Sequence, residues 1–186
     1  DGTNLTTDIL EPAGVSAGSF YHQFSDKTEL LLAVIGAAEG RRKEVVFPDG
    51  VHGDGGPPAT LAEAVGQTMD RFLQSLDDTG HDWRIQVRER ANPNPRLFAK
   101  IQAGRDSWAA LVHELLAPYA EPDADIGQAT FLFITFCVGL IATYLDMAEA
   151  DRVDRRADLL TNATLFLTHG VGQVLAPSGA KRALGS

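Results

Sequence analysis

The chain reads as all-α: an N-terminal helix-turn-helix followed by a larger helical bundle. Three observations carry that expectation. Residues 5–27 alternate short apolar-faced runs with Gly14 and a Ser-Asp cap. From residue 26 onward, apolar side chains recur three and four apart between recognisable caps. No segment alternates with period two for long enough to form a strand.

Thr6 or Thr7 caps a first short helix whose inner face carries Ile9 and Leu10, and Pro12 late in it removes a backbone donor. Gly14 follows and tolerates the left-handed conformation that ends a helix. Val15 fills the angle, and Ser16 caps a second helix over 17–24. That helix sets Phe20 and Phe24 on one face, with Ala17, Ser19 and Gln23 on another. The small residues at 17, 18 and 19 let its start approach a DNA groove closely. Asp26 with Glu29 predicts a capping box for a long helix over 26–46. Lys27 sits in its first turn, against the helix dipole, a cost that a bound phosphate offsets.

The string Ala13-Gly14-Val15-Ser16-Ala17-Gly18-Ser19-Phe20-Tyr21-His22-Gln23-Phe24-Ser25-Asp26-Lys27 resembles the helix-turn-helix of the TetR family of transcriptional regulators over about residues 6–35. The resemblance implies DNA-backbone contacts for Thr7, Ser16, Tyr21 and Lys27. It implies base-edge proximity for Ala17, Gly18, Ser19 and Gln23, with His22 at a variable position beside them. Family members carry a further helix before this motif, whereas only four residues precede Leu5 here. Two helices and a turn cannot bury Ile9, Val15, Phe20 and Phe24 alone. Residues 1–46 also hold four Lys/Arg against seven Asp/Glu, whereas phosphate binding needs concentrated positive charge. Residues 1–186 by themselves are therefore expected to bind DNA weakly.

The remainder divides readily. A domain over 1–46 holds the DNA-binding motif and a connecting helix; 47–186 holds an effector-binding and dimerisation bundle. The connecting helix passes from Leu30, Leu31, Val34, Ile35 and Ala38 into Arg41-Arg42-Lys43, and the Gly/Pro-rich run 47–58 ends it. Thr60 with Glu63 forms a second capping-box signature, opening a helix to about Leu76. A short helix spans about 82–91. Another begins at Pro95 and runs to about Ala117.

Residues 130–145 are sixteen in a row without a charge, bracketed by Asp125 and Asp146. A membrane span needs about 20 apolar residues, so the run predicts a helix buried on all sides, partly by a second chain. A last helix over 154–175 carries Leu159, Ala163, Phe166, Leu167, Gly170, Val171 and Val174 on one stripe. Together these predict a homodimer through four helices, two from each chain, around 126–148 and 154–175. The TetR resemblance implies the same, with a double-stranded DNA operator of approximate palindromic form.

The resemblance further implies a small-molecule effector in the body. Met69, Phe72, Trp83, Phe98, Ile101, Trp108, Phe133, Phe136 and Tyr144 are the apolar candidates to line its site. Arg88, His113, Thr135 and Thr143 are the polar ones. Such a lining favours a flat or greasy ligand. The function expected is a DNA-binding repressor that a small apolar effector releases. The alternative is a dimeric helical ligand-binding or interaction protein without DNA binding.

Enzymatic readings find little support. The five histidines have no metal-ligand spacing, Cys137 sits alone in the apolar run, and phosphate-cradling and nucleophile-elbow motifs are missing. No cofactor and no metal are expected. A single cysteine and no leader-like segment suit a cytoplasmic protein. The net charge of −9 must be read by segment, the acidic body being separate from the DNA-facing patch.

Overall fold

The computed structural model describes Gly14 and residues 16–176, and the described residues form seven α-helices with no strand. They are α1 (Ala17–Gln23), α2 (Lys27–Val46), α3 (Leu61–Asp78), α4 (Gly80–Glu89), α5 (Pro95–Leu116), α6 (Ile126–Asp146) and α7 (Glu149–Leu175). The readings made for Thr6, Thr7, Ile9, Leu10, Pro12 and Val15 lie outside the described residues.

Most helices start where a side chain satisfies free backbone donors. Ser16 Oγ accepts from the Ser19 amide at 3.1 Å and opens α1. Thr60 and Glu63 form the reciprocal capping box at α3, both bonds 3.2 Å. At α2 the expected box forms only in part. Asp26 accepts from the Glu29 amide at 2.7 Å, but the Glu29 carboxylate returns to the Ser25 amide, one residue earlier than the box requires. Asn94 and Asp125 cap α5 and α6, with Pro95 in the first turn of α5. α7 has no side-chain cap; it begins at Glu149, before the expected 154, with Glu149 and Asp151 lying favourably along the dipole. Gly14 has φ +66°, the left-handed conformation expected of it.

The main core lies among α3, α5, α6 and α7, closed by Val46 and Phe47 at the end of α2. α2 packs on α3, α4 and α5 and is fixed to the last two by polar contacts at both ends. At its start, Arg96 reaches Asp26 at 3.3 Å and Asn94 Nδ2 donates to Thr28 Oγ1 at 3.2 Å. Near its C-terminal end, Arg41 donates twice to the Asp82 carboxylate at 2.8 and 2.9 Å, while Arg42 Nη1 donates to the Asp82 carbonyl at 2.9 Å. Asp82 is 1 % exposed and Arg42 2 %. The sequence assigned Arg41-Arg42-Lys43 to the polar end of the helix, yet Arg42 is among the most buried side chains. Glu39, also buried, pairs with Lys43 and Lys100. Gly104 makes room for it, since a Cβ there would stand 3.2 Å from Glu39 Oε2.

α6 shows two faces in one chain. Ala129, Phe133, Cys137, Ile141 and Tyr144 are buried, whereas Phe131, Leu132 and Gly139 are exposed. The expectation of burial on all sides therefore does not hold within a single chain. α7 behaves likewise: Ala163, Leu167 and Val171 face the core, while Leu165 and Phe166 are exposed.

Burial pushes the Asp82 carboxyl up, but hydrogen bonds from Arg41 and the charges of His81, Arg41 and Arg42 outweigh it, holding it below the usual carboxylate range. Glu39 is held low against burial by Lys43 and Lys100. Both groups have a lower pKa folded than unfolded. Their contribution is thus present above the ordinary carboxylate range, about 4, and disappears as pH falls through the folded values. Asp82→Asn should cost about 2 kcal/mol at neutral pH. In urea melts between pH 7 and pH 3 the variant should also lose less stability than the native protein. An unchanged acid dependence would contradict this account.

Candidate functional site

Two regions of the fold are candidates for function. The first is α1 with its flanking turns. Phe20 is buried, its ring 5.1 Å from Tyr21 and 5.6 Å from Phe24, and this anchors the short helix. Ser16, Ala17, Gly18, Ser19, Tyr21, His22 and Gln23 are all exposed, so α1 offers one continuous outward surface. Ser16 Oγ and Ser19 Oγ lie 3.0 Å apart. Lys27 is half-buried in the first turn of α2 beside this surface. Thr7 lies outside the described residues.

The second region is a cavity bounded by α3, α5 and α6, with the end of α2 and one face of α4. Its volume is about 60 Å³. A space this narrow holds little more than solvent as it stands, so the helices must part to admit a drug-sized molecule. Of the residues expected around an effector, Met69, Phe72, Trp83, Trp108 and Phe133 line it. Val46, Phe47, Thr68, Gln86, Arg105, Val112, Ile134, Cys137, Val138 and Ile141 complete the wall.

The remaining candidates lie elsewhere. Ile101 lines a smaller recess with Ile35, Glu39, Arg42, Gln86, Lys100, Gly104 and Trp108. Phe136, Thr135 and Thr143 line an outer groove between α6 and α7. Arg88, Phe98 and His113 are exposed and border neither space. Tyr144 is buried, donating to both Asp77 oxygens at 3.0 and 3.1 Å. Burial and the neighbouring carboxylate push its hydroxyl up to about 12.

The cavity wall is aromatic and continuous. Phe72 meets Trp83 edge-on at 5.5 Å, Trp83 lies 5.8 Å from Trp108, and Trp108 lies 6.1 Å from Phe47. Trp83 is fixed by its own hydrogen bond to Ser75 Oγ at 3.2 Å. The Arg42 guanidinium stands 4.5 Å from the centre of the Trp83 ring. Such a desolvated cation–π contact is worth about 2 kcal/mol. Burial lowers Arg42 to about 10, which leaves it charged at neutral pH. Lys43 approaches the Trp108 ring at 5.8 Å and also donates to Ser107 Oγ. The wall of the cavity is thereby tied to the helix that carries α1. Burial alone pushes the Cys137 thiol up to about 12, which makes it an apolar wall residue rather than a nucleophile.

Arg42, Asp82, Gln86 and Arg105 escaped sequence reasoning as parts of this region. Arg42 and Asp82 look like solvated charges in the chain, and only the crossing of α2 and α4 pairs them. For Gln86 and Arg105 the available signal was helical phase: Arg105 falls three residues before Trp108, on its face of α5.

Residues 4–34 match the family model described as bacterial regulatory proteins, tetR family. No curated protein matches the chain by sequence. Among solved structures, the fold is similar to that of PfmR, a TetR family transcriptional regulator from Thermus thermophilus. The TM-score is 0.61 at 18 % identity, over 85 % of this chain and 87 % of that one. The N-terminal segment is thus similar to the helix-turn-helix of the tetR family, and the all-helical fold of the whole is similar to that of a TetR family regulator.

Proposed function

We propose that this protein is a DNA-binding transcriptional regulator, a cytoplasmic repressor that acts as a twofold dimer. A small, largely apolar ligand entering the α3–α5–α6 cavity would release it from a palindromic operator. The observation that carries the reading is the contact of Arg42, on α2, with Trp83 of the cavity wall. A ligand that parts α5 from α3 and α6 moves Trp108 and Trp83, and α2 follows through Arg41, Arg42 and Lys43. At its other end α2 carries Lys27 and adjoins α1. Ligand therefore biases the separation of the two α1 helices in a dimer, and it lowers DNA affinity by its preference for the spread arrangement.

On the DNA side we assign backbone contacts to Thr7, Ser16, Tyr21 and Lys27, and groove contacts to Ala17, Gly18, Ser19, His22 and Gln23. Residues 1–46 would serve DNA, and 47–186 ligand and dimer, with α2 shared between the two. We assign no catalytic step and no cofactor.

The dimer face is the outer side of α6 and α7. Phe131 and Phe166 are 63 % and 64 % exposed, and Leu132 and Leu165 stand beside them. Phe136 and Phe166 stack at 5.3 Å across the two helices. Large exposed apolar patches of this kind mark interaction surfaces. α6 is long and apolar enough to cross a membrane by length and composition. Its inner face, however, packs on α5 and α7, and so a second copy of the same two helices is the occupant proposed.

Phe166→Glu should keep the helical content, since the side chain is exposed, and raise the dimer dissociation constant about thirtyfold or more in sedimentation equilibrium. A native protein that sediments as a monomer would contradict the dimer. Selection from a random duplex pool by the full-length protein should return an approximate inverted repeat. On that site Lys27→Ala should weaken binding and reduce the slope of log affinity against log salt by about 1. An unchanged slope would remove Lys27 from the phosphate contacts.

A further inference from the structure

Several polar atoms around the cavity have no partner. Trp108 Nε1, a donor, and Gln86 Oε1, an acceptor, are enclosed and make no hydrogen bond, and both residues line the cavity. Arg105 lines it too, and on its other side borders an open groove between α5 and α6. Among the described residues, its side chain forms neither an ion pair nor a hydrogen bond. Across that groove Thr130, 6 % exposed, carries a hydroxyl without a partner.

The Trp108 and Arg105 groups are donors, and the Gln86 amide becomes one when it turns over. An indole N–H and a guanidinium only donate, a hydroxyl can donate, and an amide can turn to do so. Unpartnered buried polar groups in a native fold call for a water, an ion or a ligand. A donor-rich set is completed by acceptors, and a carboxylate supplies several together with the charge that Arg105 lacks. The rest of the lining is aromatic and aliphatic. Two acids lie nearby. Glu39 borders the recess behind Gln86 and Trp108 but is already paired with Lys43 and Lys100. Asp106 borders the outer groove, where it repels an anion and so favours the inner side of Arg105.

We propose that the ligand is an apolar carboxylic acid, bound as its carboxylate with the head on Arg105 and the apolar body among Trp83, Trp108 and Phe133. This inference rests on the reading of the cavity as the effector site. Arg105 and Trp108 are neighbours on one face of α5, three residues apart, which lets one head group meet both.

The chain's two tryptophans, Trp83 and Trp108, both line the cavity and report on its contents by their fluorescence. The purified protein is titrated with 4-phenylbutyrate and with decanoate, each against the alcohol of the same skeleton. The acids should quench saturably and bind about tenfold or more tightly than the alcohols. Arg105→Met, which keeps the apolar stem, should abolish that preference, the affinity ratio of acid to alcohol falling to about one. Trp108→Phe, which removes the unpartnered indole N–H and leaves Trp83 to report, should reduce the preference a few-fold, and it keeps the test decisive if Arg105→Met fails to fold. Alcohols that bind as tightly as acids, with neither variant changing the ratio, would overturn the carboxylate while leaving an apolar effector site in place. Absence of saturable quenching by all four compounds would overturn this inference and count against the effector site as well.

Discussion

The buried carboxylate of Asp82 constrains the arrangement of this molecule more than any other group. A carboxylate without solvent persists only where paired charges and hydrogen bonds replace its hydration. Here Arg41 provides a double hydrogen bond, and Arg42 bonds to the carbonyl of the same residue. Satisfying that one site fixes the crossing of α2 and α4. The crossing in turn sets Arg42 over Trp83, and Trp83 beside Trp108. The polar layer under α2 and the apolar cavity are therefore two sides of one wall.

That wall is the link by which, in the proposed function, the cavity acts on α1. α2 is bonded to α5 at its start through Asp26 and Thr28, and to α4 and α5 near its end through Arg41, Arg42 and Lys43. A rigid helix held at both ends cannot absorb a shift of α5 locally. In the proposed mechanism it passes the shift to α1. The outer faces of α6 and α7 stand on the other side of the core from α2, so in the proposed dimer α1 and the α6–α7 contact move relative to each other across the cavity.

Much of the fold was legible in the sequence because caps and breakers act locally. Thr60 with Glu63, Asn94-Pro95 and Gly14 do what their chemistry dictates wherever they occur. The start of α2 departs by one residue because the Ser25 amide competes for Glu29. The candidate site was less legible because its composition does not distinguish a cavity wall from ordinary core. Phe98 and Phe133 look alike in the chain, yet Phe98 is exposed near the start of α5 while Phe133 lines the cavity from α6. Phe136, three residues on, turns to the outer groove. Arg42 was the least legible residue. Its burial depends on an aromatic ring and a carbonyl from a helix about forty residues away.

The central claim is that the Asp82 site makes α2 one body with the cavity wall. Native-state hydrogen exchange of the native protein and of Asp82→Asn tests it most directly. The account predicts that amides from Ile35 to Val46 in the native protein open with the same free energy as those of α3 and α5. In the variant, the α2 amides should lose protection selectively, through a partial opening that leaves α3 and α5 closed. An α2 that already exchanges independently in the native protein, or a loss in the variant spread equally over all helices, would contradict it.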